Sequence, residues 1–495
     1  MNDLPRRKST IHARVPAPNE NVTMSMGSKV LVDAVFADVG LNDFLDGLKR
    51  DQGEKVSAEV KALVATSVDM TGVSVNRLDR MLDDDLVRKE YGLGNSASRS
   101  IYRTVDRIGK SSDAIVRFLA EALKTKYGVG MDTVFLDWTS MYFEAPQNVF
   151  VRIGYSRDHR PDRPQVTVGL SVDKASGMPI GLTIMPGNVV DVTHFQETFK
   201  QMRSLLPDDA MIVFDNGAYS KENSALLERG EFGFVTLLQM NASDDAFVRA
   251  HEKEFVDLGD GMSFLAVQGN LGRKRFIFRS ETLRSDALQR YRAKAERDYD
   301  DMVNLKAAVE GDRRPRKKYR TSNCFVDTHL SYRFPLDVMN REEAIEHAVR
   351  SMFTGREGLF VLLTNRSLTA SETLKIYRSR NAVETAFRDL KHGIDWRPAR
   401  CTSEDAIKGR ILISFLALFC MSMVRFLHPE LSRMTAESLV TELASFSLTV
   451  ERRSNGVIRR IWSNFSPIIR YLGGRKRPLP VPSAPGQAVL DRFPG

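Results

Sequence analysis

Apolar residues recur along the chain with two different periods, and the change of period divides it into regions. Over residues 29–127 they recur every three or four positions, as at Val32 and Phe36, which is the spacing of one helix face. From Thr133 onward, short runs of alternating apolar residues have the spacing of β-strands. The pattern predicts a helical domain over 29–127 and an α/β region after it. Residues 1–28 have no period and are predicted to be a disordered tail.

Two further helices are predicted at the end of this domain, Ala97–Ile108 and Asp113–Lys126. The first of them has a polar face suited to DNA. Its basic and hydroxyl side chains are Ser98, Arg99, Ser100, Tyr102, Arg103 and Arg107. Such groups suit phosphate oxygens and base edges. We therefore expect 29–127 to bind DNA ends, although a plain helical bundle would have the same apolar pattern.

The segment 128–240 has the element order of a ribonuclease H-like α/β core: three strands, a helix, a strand, a helix and a strand. The predicted elements are 133–137 with an alternating continuation to 143, 165–172, 180–185, 193–206, 210–214, 221–229 and 232–238. In that fold the first and fourth strands are neighbours. Asp137 ends the first of these strands and Asp215 directly follows the fourth, so we expect the two acids to lie close together. A single aspartate after a strand is more often a turn former or helix cap, but the pair favours a shared site.

A polar row on a helix predicted over Tyr377–Lys391 provides a third acid. At about 100° per residue, four side chains share one narrow face: Tyr377, Arg380, Glu384 and Lys391. The neighbouring face is apolar and can pack on a core; it consists of Val383, Ala386, Phe387 and Leu390. An acid between cations is commonly only a solvated salt-bridge face. The two upstream aspartates favour a functional row instead.

Residues 241–368 interrupt the predicted core and are expected to form an inserted, β-rich α+β domain. This segment contains two basic clusters, Arg273–Arg275 and Arg313–Arg320. The core resumes over 369–450, and 451–495 is expected to be a C-terminal extension and tail. The predicted fold is thus an α/β ribonuclease H-like catalytic core with a helical N-terminal domain and an inserted domain.

Composition narrows the class of protein further. The 42% hydrophobic and 27% charged residues are typical of a globular protein. The net charge of +9 is modest for this length and would also suit ordinary solubility, but the two basic clusters favour a polyanionic partner. Three widely spaced cysteines suit a reducing compartment and argue against a zinc site. The longest apolar run, Ile411–Val424, has 14 residues, which predicts a buried core helix and not a membrane span. We therefore expect a cytoplasmic protein without membrane contact.

Three carboxylates without a histidine or cysteine partner offer hard oxygen ligands, which favours Mg²⁺ or Mn²⁺ over Zn²⁺. Two such ions can activate water or a 3′-hydroxyl on one side of a phosphodiester and stabilise the leaving oxygen on the other. The predicted cofactor is therefore Mg²⁺, as two ions, with Mn²⁺ as a substitute. Cations beside Glu384 would balance the charge of incoming phosphates.

The polar row has the spacing Y-(2)-R-(3)-E-(6)-K, which resembles the YREK signature of DDE insertion-sequence transposases. The runs that begin at Asp215 and at Val383 also resemble blocks of this family. The resemblance extends over about Lys29–Phe446. It implies that the catalytic, metal-binding acids are Asp137, Asp215 and Glu384. It also implies that DNA near the cleaved end is contacted by Tyr377, Arg380 and Lys391.

The resemblance further implies a homodimer that binds terminal inverted repeats, cleaves the ends and joins them to target DNA. Some members pass through a hairpin, with an aromatic residue of the insertion stacked on a flipped base. All three tryptophans lie outside the insertion here, so a phenylalanine or tyrosine, such as Phe276 or Tyr319, would have to stack on the base instead. Two alternatives stay open: a transposase-derived DNA-binding protein without chemistry, acting as repressor or scaffold, and a ribonuclease H-type nuclease without strand transfer.

Overall fold

The computed structural model describes residues 21–49, 55–69, 85–94, 96–143, 148–157, 160–268, 272–311, 340–392, 403–473 and 489–491. The chain divides into two compact units, the first made of Met1–Gly233 and Arg378–Gly495, and the second of Phe234–Tyr377. The predicted insertion, 241–368, falls within the second unit. All three predicted catalytic acids belong to the first.

Helices dominate the first unit up to residue 127, as the apolar period predicts. They are α1 (Gly27–Val39), α2 (Leu41–Gly47), α3 (Val56–Val68), α4 (Asp85–Tyr91), α5 (Ser98–Lys110) and α6 (Ser112–Tyr127). On α5 the apolar residues Ile101 and Ile108 are buried, whereas Arg99 and Arg103 of the predicted DNA-binding face are exposed. The helix therefore packs through one side and leaves its basic side to solvent.

A mixed sheet follows in the first unit. Its strands are β2 (Thr133–Tyr142), β3 (Gln165–Asp173), β4 (Pro179–Pro186) and β5 (Met211–Phe214), and its helices are α7 (Asp191–Met202) and α8 (Lys221–Arg229). β3 pairs antiparallel with both β2 and β4, whereas β5 pairs parallel with β2. The predicted neighbourhood of the first and fourth strands is confirmed.

The second unit is an antiparallel sheet with helices. Its elements are β6 (Gly233–Leu238), α9 (Ala242–Ala250), β7 (Val256–Gly259), β8 (Met262–Gln268), β9 (Lys274–Ser280), α10 (Glu281–Gly311), α11 (Arg341–Met352), β10 (Leu359–Thr364) and α12 (Ala370–Arg378). β10 lies between β6 and β9, and β8 lies between β9 and β7. Phe276 is buried in this unit's apolar core, so it is not available to stack on a base. Tyr319 and the cluster Arg313–Arg320 lie outside the described residues.

The first unit resumes with α13 (Asn381–His392) and α14 (Glu404–Leu427). α14 is the one described helix long and apolar enough to cross a membrane, but 72% of its most apolar window is buried inside the protein. The predicted core helix is thus confirmed. It crosses α5 with backbones in contact, because a Cβ at Gly109 would overlap the Asp405 carbonyl oxygen and one at Gly409 would overlap that of Val105.

A small second sheet joins both ends of the first unit. After α15 (Ala436–Ser445) come β11 (Ser447–Arg452), β12 (Ile458–Ser463), α16 (Pro467–Gly473) and β13 (Val489–Asp491). Strand β1 (Asn21–Ser25) pairs with β11. The tail predicted over 1–28 differs from the structure at 21–28, because β1 pairs with β11 over Asn21–Ser25 and α1 begins at Gly27. Residues 1–20 lie outside the described ranges.

Candidate active site

The parallel pairing of β2 with β5 brings two of the predicted acids side by side. Thr133 pairs with Met211 and Phe135 with Val213. Continuing this register by two residues places Asp137 opposite Asp215. Asp137 is not at a strand end as predicted, because β2 runs on to Tyr142 against β3. The shorter β5 ends at Phe214, which leaves this part of β2 open on one side.

The helix predicted over Tyr377–Lys391 is broken. α12 ends at Arg378 and α13 begins at Asn381, with Ser379 and Arg380 in a turn between them. Serine and asparagine side chains compete for backbone hydrogen bonds, which favours such a boundary. The prediction of one continuous helix, with all four polar residues on one face, is therefore wrong.

The residues of the predicted row have different surroundings. Tyr377 belongs to the second unit, where it packs against that unit's apolar cluster. Lys391 lies in α13, but its side chain is outside the described part. Arg380 and Glu384 are in contact, and the predicted apolar face of α13 is buried; it consists of Val383, Ala386, Phe387 and Leu390.

Three carboxylates converge on the Arg380 guanidinium. Its Nη1 lies 3.6 Å from Asp137 Oδ1, and its Nη2 lies 3.7 Å from Asp215 Oδ2. The same Nη2 donates a hydrogen bond of 2.9 Å to Glu384 Oε1. Only 12% of the Arg380 side chain is exposed. The three predicted catalytic acids are thus brought together around one positive group.

Burial dominates the electrostatics of Asp137. It raises the pKa of this carboxyl to about 6, against the opposing effect of Arg380 and of the hydrogen bond from the Trp138 backbone N–H. The neighbouring charge of Asp215 raises the pKa further. A group of this kind needs a cationic partner in order to stay ionised near neutral pH.

The three acids offer only carboxylate oxygens as ligands, and this chemistry fits a hard divalent cation. Within the described ranges, no three acidic, histidine or cysteine side chains stand close enough together to hold one metal ion. Asp137, Asp215 and Glu384 instead share a guanidinium through oxygen atoms alone. Oxygen-only ligation of a central positive charge is what Mg²⁺ and Mn²⁺ prefer.

Removing the charge of Arg380 is expected to destabilise the metal-free protein. Without it the three carboxylates lose their shared counter-charge, so Arg380→Met should lower the free energy of unfolding by about 1–3 kcal/mol in EDTA. Thermal unfolding with and without Mn²⁺ measures this, and Mn²⁺ should restore most of the loss. The matched variant is Arg388→Met on the exposed face of α13, which should change stability little. An unchanged midpoint for Arg380→Met in EDTA would contradict the prediction.

An ion pair that the sequence did not predict lies beside the acids. Arg157 donates from Nη2 to Asp191, the first residue of α7, and its backbone N–H donates to Ser140 Oγ at 2.9 Å. A Cβ at Gly217, in the turn after Asp215, would come within 2.7 Å of Asp191 Oδ2. The pair therefore connects β2 to the turn that carries the second acid. Nothing in the sequence pointed to Arg157 or to its pairing with Asp191.

A buried polar layer fixes α7 on the sheet behind this pair. His194 shares hydrogen bonds with Thr167 Oγ1 at 3.1 Å and Thr183 Oγ1 at 2.9 Å, while Trp138 Nε1 donates to Thr198 Oγ1 at 3.2 Å. Burial lowers the pKa of His194 to about 3, so the ring stays neutral near pH 7. This histidine therefore has a structural part in holding α7.

Neutralising Asp191 is expected to loosen the turn that carries Asp215. We expect Asp191→Asn to retain the fold and to weaken Mn²⁺ binding about 10-fold, since groups that orient a ligand typically contribute 10- to 100-fold to metal affinity. Calorimetric titration with Mn²⁺ measures this directly. Asp162 is an exposed acid in the connection between β2 and β3, which also contains Arg157, and Asp162→Asn is therefore the control. Equal Mn²⁺ affinity of wild type and Asp191→Asn would show that the pair does not support the site.

Comparison with known proteins adds a family match. A family model described as "Transposase DDE domain" matches residues 129–420, more than half of the chain. Among solved structures, the chain is similar to the piggyBac transposase synaptic complex with hairpin DNA, with a TM-score of 0.39 and 12% sequence identity. That similarity covers 85% of this chain and 79% of the other. A search of curated proteins gives no match.

Proposed function

The chain belongs to the transposase DDE domain family, and we propose that it is an active transposase with a ribonuclease H-like core. It binds the terminal inverted repeats of an insertion sequence as a homodimer, cleaves the DNA ends and joins them to target DNA. The observation that supports this most is the convergence of Asp137, Asp215 and Glu384 on Arg380. A non-catalytic DNA-binding protein would have no physical need for three mutually repelling acids in one place.

The proposed chemistry is phosphoryl transfer. Divalent ions held by the three acids would activate water or a 3′-hydroxyl and stabilise the leaving oxygen. The chain's own residues supply position and counter-charge. Arg380 can exchange its carboxylate partners for the oxygens of an incoming phosphate, because a guanidinium binds both in the same two-pronged geometry. The Arg157–Asp191 pair keeps the turn after Asp215 in place while the DNA enters.

Two further cationic surfaces of the first unit suit a DNA backbone. One is the exposed side of α5, with Arg99 and Arg103. The other is a groove beside α13, lined by Arg388, Arg425 and Arg433. Its lining also includes Asp389, which pairs with Arg425 at 2.9 Å, and Glu437 in the first turn of α15, so Arg388 and Arg433 are its main cations for phosphate. Guanidinium groups and the N–H groups of a helix start both attract phosphates. Arg388 lies one helical turn after Glu384, so DNA on this surface would approach the acids.

The test of the proposed function is joining. A duplex with the terminal repeat and an exposed 3′-hydroxyl is incubated with supercoiled plasmid and Mg²⁺, and single-end and double-end joined products are separated on a gel. We expect wild-type protein to form them and Ca²⁺ not to support them. Cleavage of end duplexes without joining would favour the nuclease alternative. Binding without either reaction, in Mg²⁺ and in Mn²⁺, would favour the DNA-binding protein.

A further inference from the structure

The Arg380 guanidinium faces carboxylate oxygens that a divalent ion would need. Asp215 Oδ1 accepts a hydrogen bond of 2.7 Å from the Asn216 backbone N–H, and its other oxygen, Oδ2, faces Arg380 Nη2 at 3.7 Å. Asp137 Oδ1 accepts from the Trp138 N–H at 2.9 Å and faces Arg380 Nη1 at 3.6 Å. Each aspartate is thus held by the N–H of the next residue while one of its oxygens faces the guanidinium.

The guanidinium is more buried than two of the acids that surround it. The exposed fraction of the side chain is 12% for Arg380, against 42% for Asp215 and 52% for Glu384. A guanidinium also keeps its proton throughout the pH range in which proteins fold. The acids therefore have a permanent counter-charge within the protein, and a change of pH does not remove it.

The position of Arg380 in the chain leaves its side chain able to change partners. Its carbonyl oxygen accepts from the Val383 N–H at 3.0 Å, and the Ser379 carbonyl oxygen accepts from the Ala382 N–H at 3.2 Å. These hydrogen bonds form the start of α13 and involve backbone atoms only. The guanidinium can therefore leave the acids while the turn before α13 keeps its hydrogen bonds.

A divalent ion and the guanidinium compete for the same carboxylates. Mg²⁺ and Mn²⁺ need several oxygen ligands, and a second positive charge close to Arg380 is repelled. A phosphate group removes this conflict, because a guanidinium binds phosphate and carboxylate in the same two-pronged geometry. DNA at the acids would therefore free them for metal, and metal would in turn free Arg380 for phosphate. Two ligands that favour the same arrangement of one side chain bind with positive, reciprocal coupling.

We propose that Arg380 opposes metal binding at the three acids in the DNA-free protein, and that a phosphate of the bound DNA end draws it away and so raises the metal affinity. This rests on the proposed function, since it requires DNA at the acids. It adds a regulatory role to the phosphate contact, because the metal affinity then depends on bound DNA. Couplings of this kind typically change affinity by about 5- to 150-fold.

The first part of the experiment is a calorimetric titration of the DNA-free proteins with Mn²⁺. Arg380→Met removes the guanidinium, and we expect it to bind Mn²⁺ about 10-fold more tightly than wild type. Arg380→Lys keeps the charge without the two-pronged geometry and should lie between the two. The matched control is Arg203→Met, which removes an exposed arginine at the end of α7 opposite to Asp191 and should bind Mn²⁺ like wild type.

The second part repeats the titrations with a saturating pre-cleaved terminal-repeat duplex that has a 3′-dideoxy end, so that the DNA is neither cut nor joined. The phosphates of the duplex add oxygen ligands for Mn²⁺ in every protein. We expect the duplex to raise the Mn²⁺ affinity of wild type by a factor about 10 times larger than that of Arg380→Met, because only wild type has the guanidinium to displace. Arg203→Met should show the wild-type factor.

The outcomes separate the coupling from the function on which it rests. If wild type cleaves the end in Mg²⁺ but Arg380→Met binds Mn²⁺ no more tightly than wild type, the coupling is wrong and the function stands. The same holds if the duplex raises the Mn²⁺ affinity of both proteins by one factor. If wild type neither binds nor cleaves the end, both are overturned. If Arg380→Met does not fold, Arg380→Lys decides, and an affinity and a duplex factor equal to those of wild type overturn the coupling.

Discussion

Replacing Glu384 by glutamine is expected to abolish DNA cleavage while leaving end binding within about twofold of wild type. The side chain lies at the surface, with its Oε1 on Arg380, so the isosteric amide leaves the packing of α13 unchanged. The substitution removes one of the three charges that would hold a divalent ion. We expect the cleavage rate to fall by at least about 10³-fold, in line with the loss of a principal source of electrostatic stabilisation.

The comparison is a single-turnover cleavage assay and a gel-shift titration on the same labelled end duplex. Glu121→Gln, an exposed glutamate of α6, is the matched control and should retain full rate and affinity. Cleavage by Glu384→Gln at a rate close to that of wild type would contradict the assignment of the third acid. Loss of binding by a folded Glu384→Gln protein would also contradict it, because a metal ligand should act after the end is bound.

Gly409→Ala is expected to cause a large loss of stability, although it adds only one methyl group to α14. On an open helix surface, glycine to alanine is stabilising by up to about 1 kcal/mol. Here the new Cβ would overlap the carbonyl oxygen of Val105 in α5, and a backbone cannot move aside as a side chain can. We expect the cost of this steric overlap to outweigh the gain in helix propensity. The free energy of unfolding should therefore fall by about 2–4 kcal/mol.

Gly47→Ala is the matched control for this prediction. Gly47 ends α2 with no atom within 4 Å of the position that its Cβ would take. Its replacement should leave stability unchanged or raise it slightly. Urea unfolding of both variants beside wild type measures the difference. A Gly409→Ala protein as stable as wild type would show that α5 and α14 are not in backbone contact.

The sequence predicted the elements well wherever the apolar period was strong. The helix predicted over 221–229 and the strand over 165–172 match α8 and β3 closely. The T-x-x-E spacing from Thr369 to Glu372 is that of a capping box, and both of its hydrogen bonds form: the Thr369 backbone N–H donates to Glu372 Oε2 at 2.8 Å, and the Glu372 N–H donates to Thr369 Oγ1 at 3.2 Å. These features depend on residues close in sequence, which is why a local pattern is sufficient to find them.

The features that the sequence did not reveal depend on contacts between distant segments. Strand β11 pairs with β12 and with β1, which lies more than 400 residues earlier in the chain. Neither the apolar pattern of β11 nor that of the residues next to it predicts this strand. The turn at Arg380 follows from the separate packing of two short helices, which a helical pattern alone reads as continuous. Arg157 lies in the connection between β2 and β3, and Asp191 is the first residue of α7. No spacing rule relates two residues 34 positions apart in the sequence.

The most direct test of the account is Mg²⁺-dependent cleavage of a labelled duplex that carries the element's terminal repeat. Wild type is compared with Asp137→Asn and Asp215→Asn, the two acids that β2 and β5 bring side by side. The account predicts cleavage at the end by wild type alone, none in EDTA, and end binding by all three proteins. Cleavage by either variant at the wild-type rate, or binding by all three without cleavage in Mg²⁺ or Mn²⁺, would contradict it.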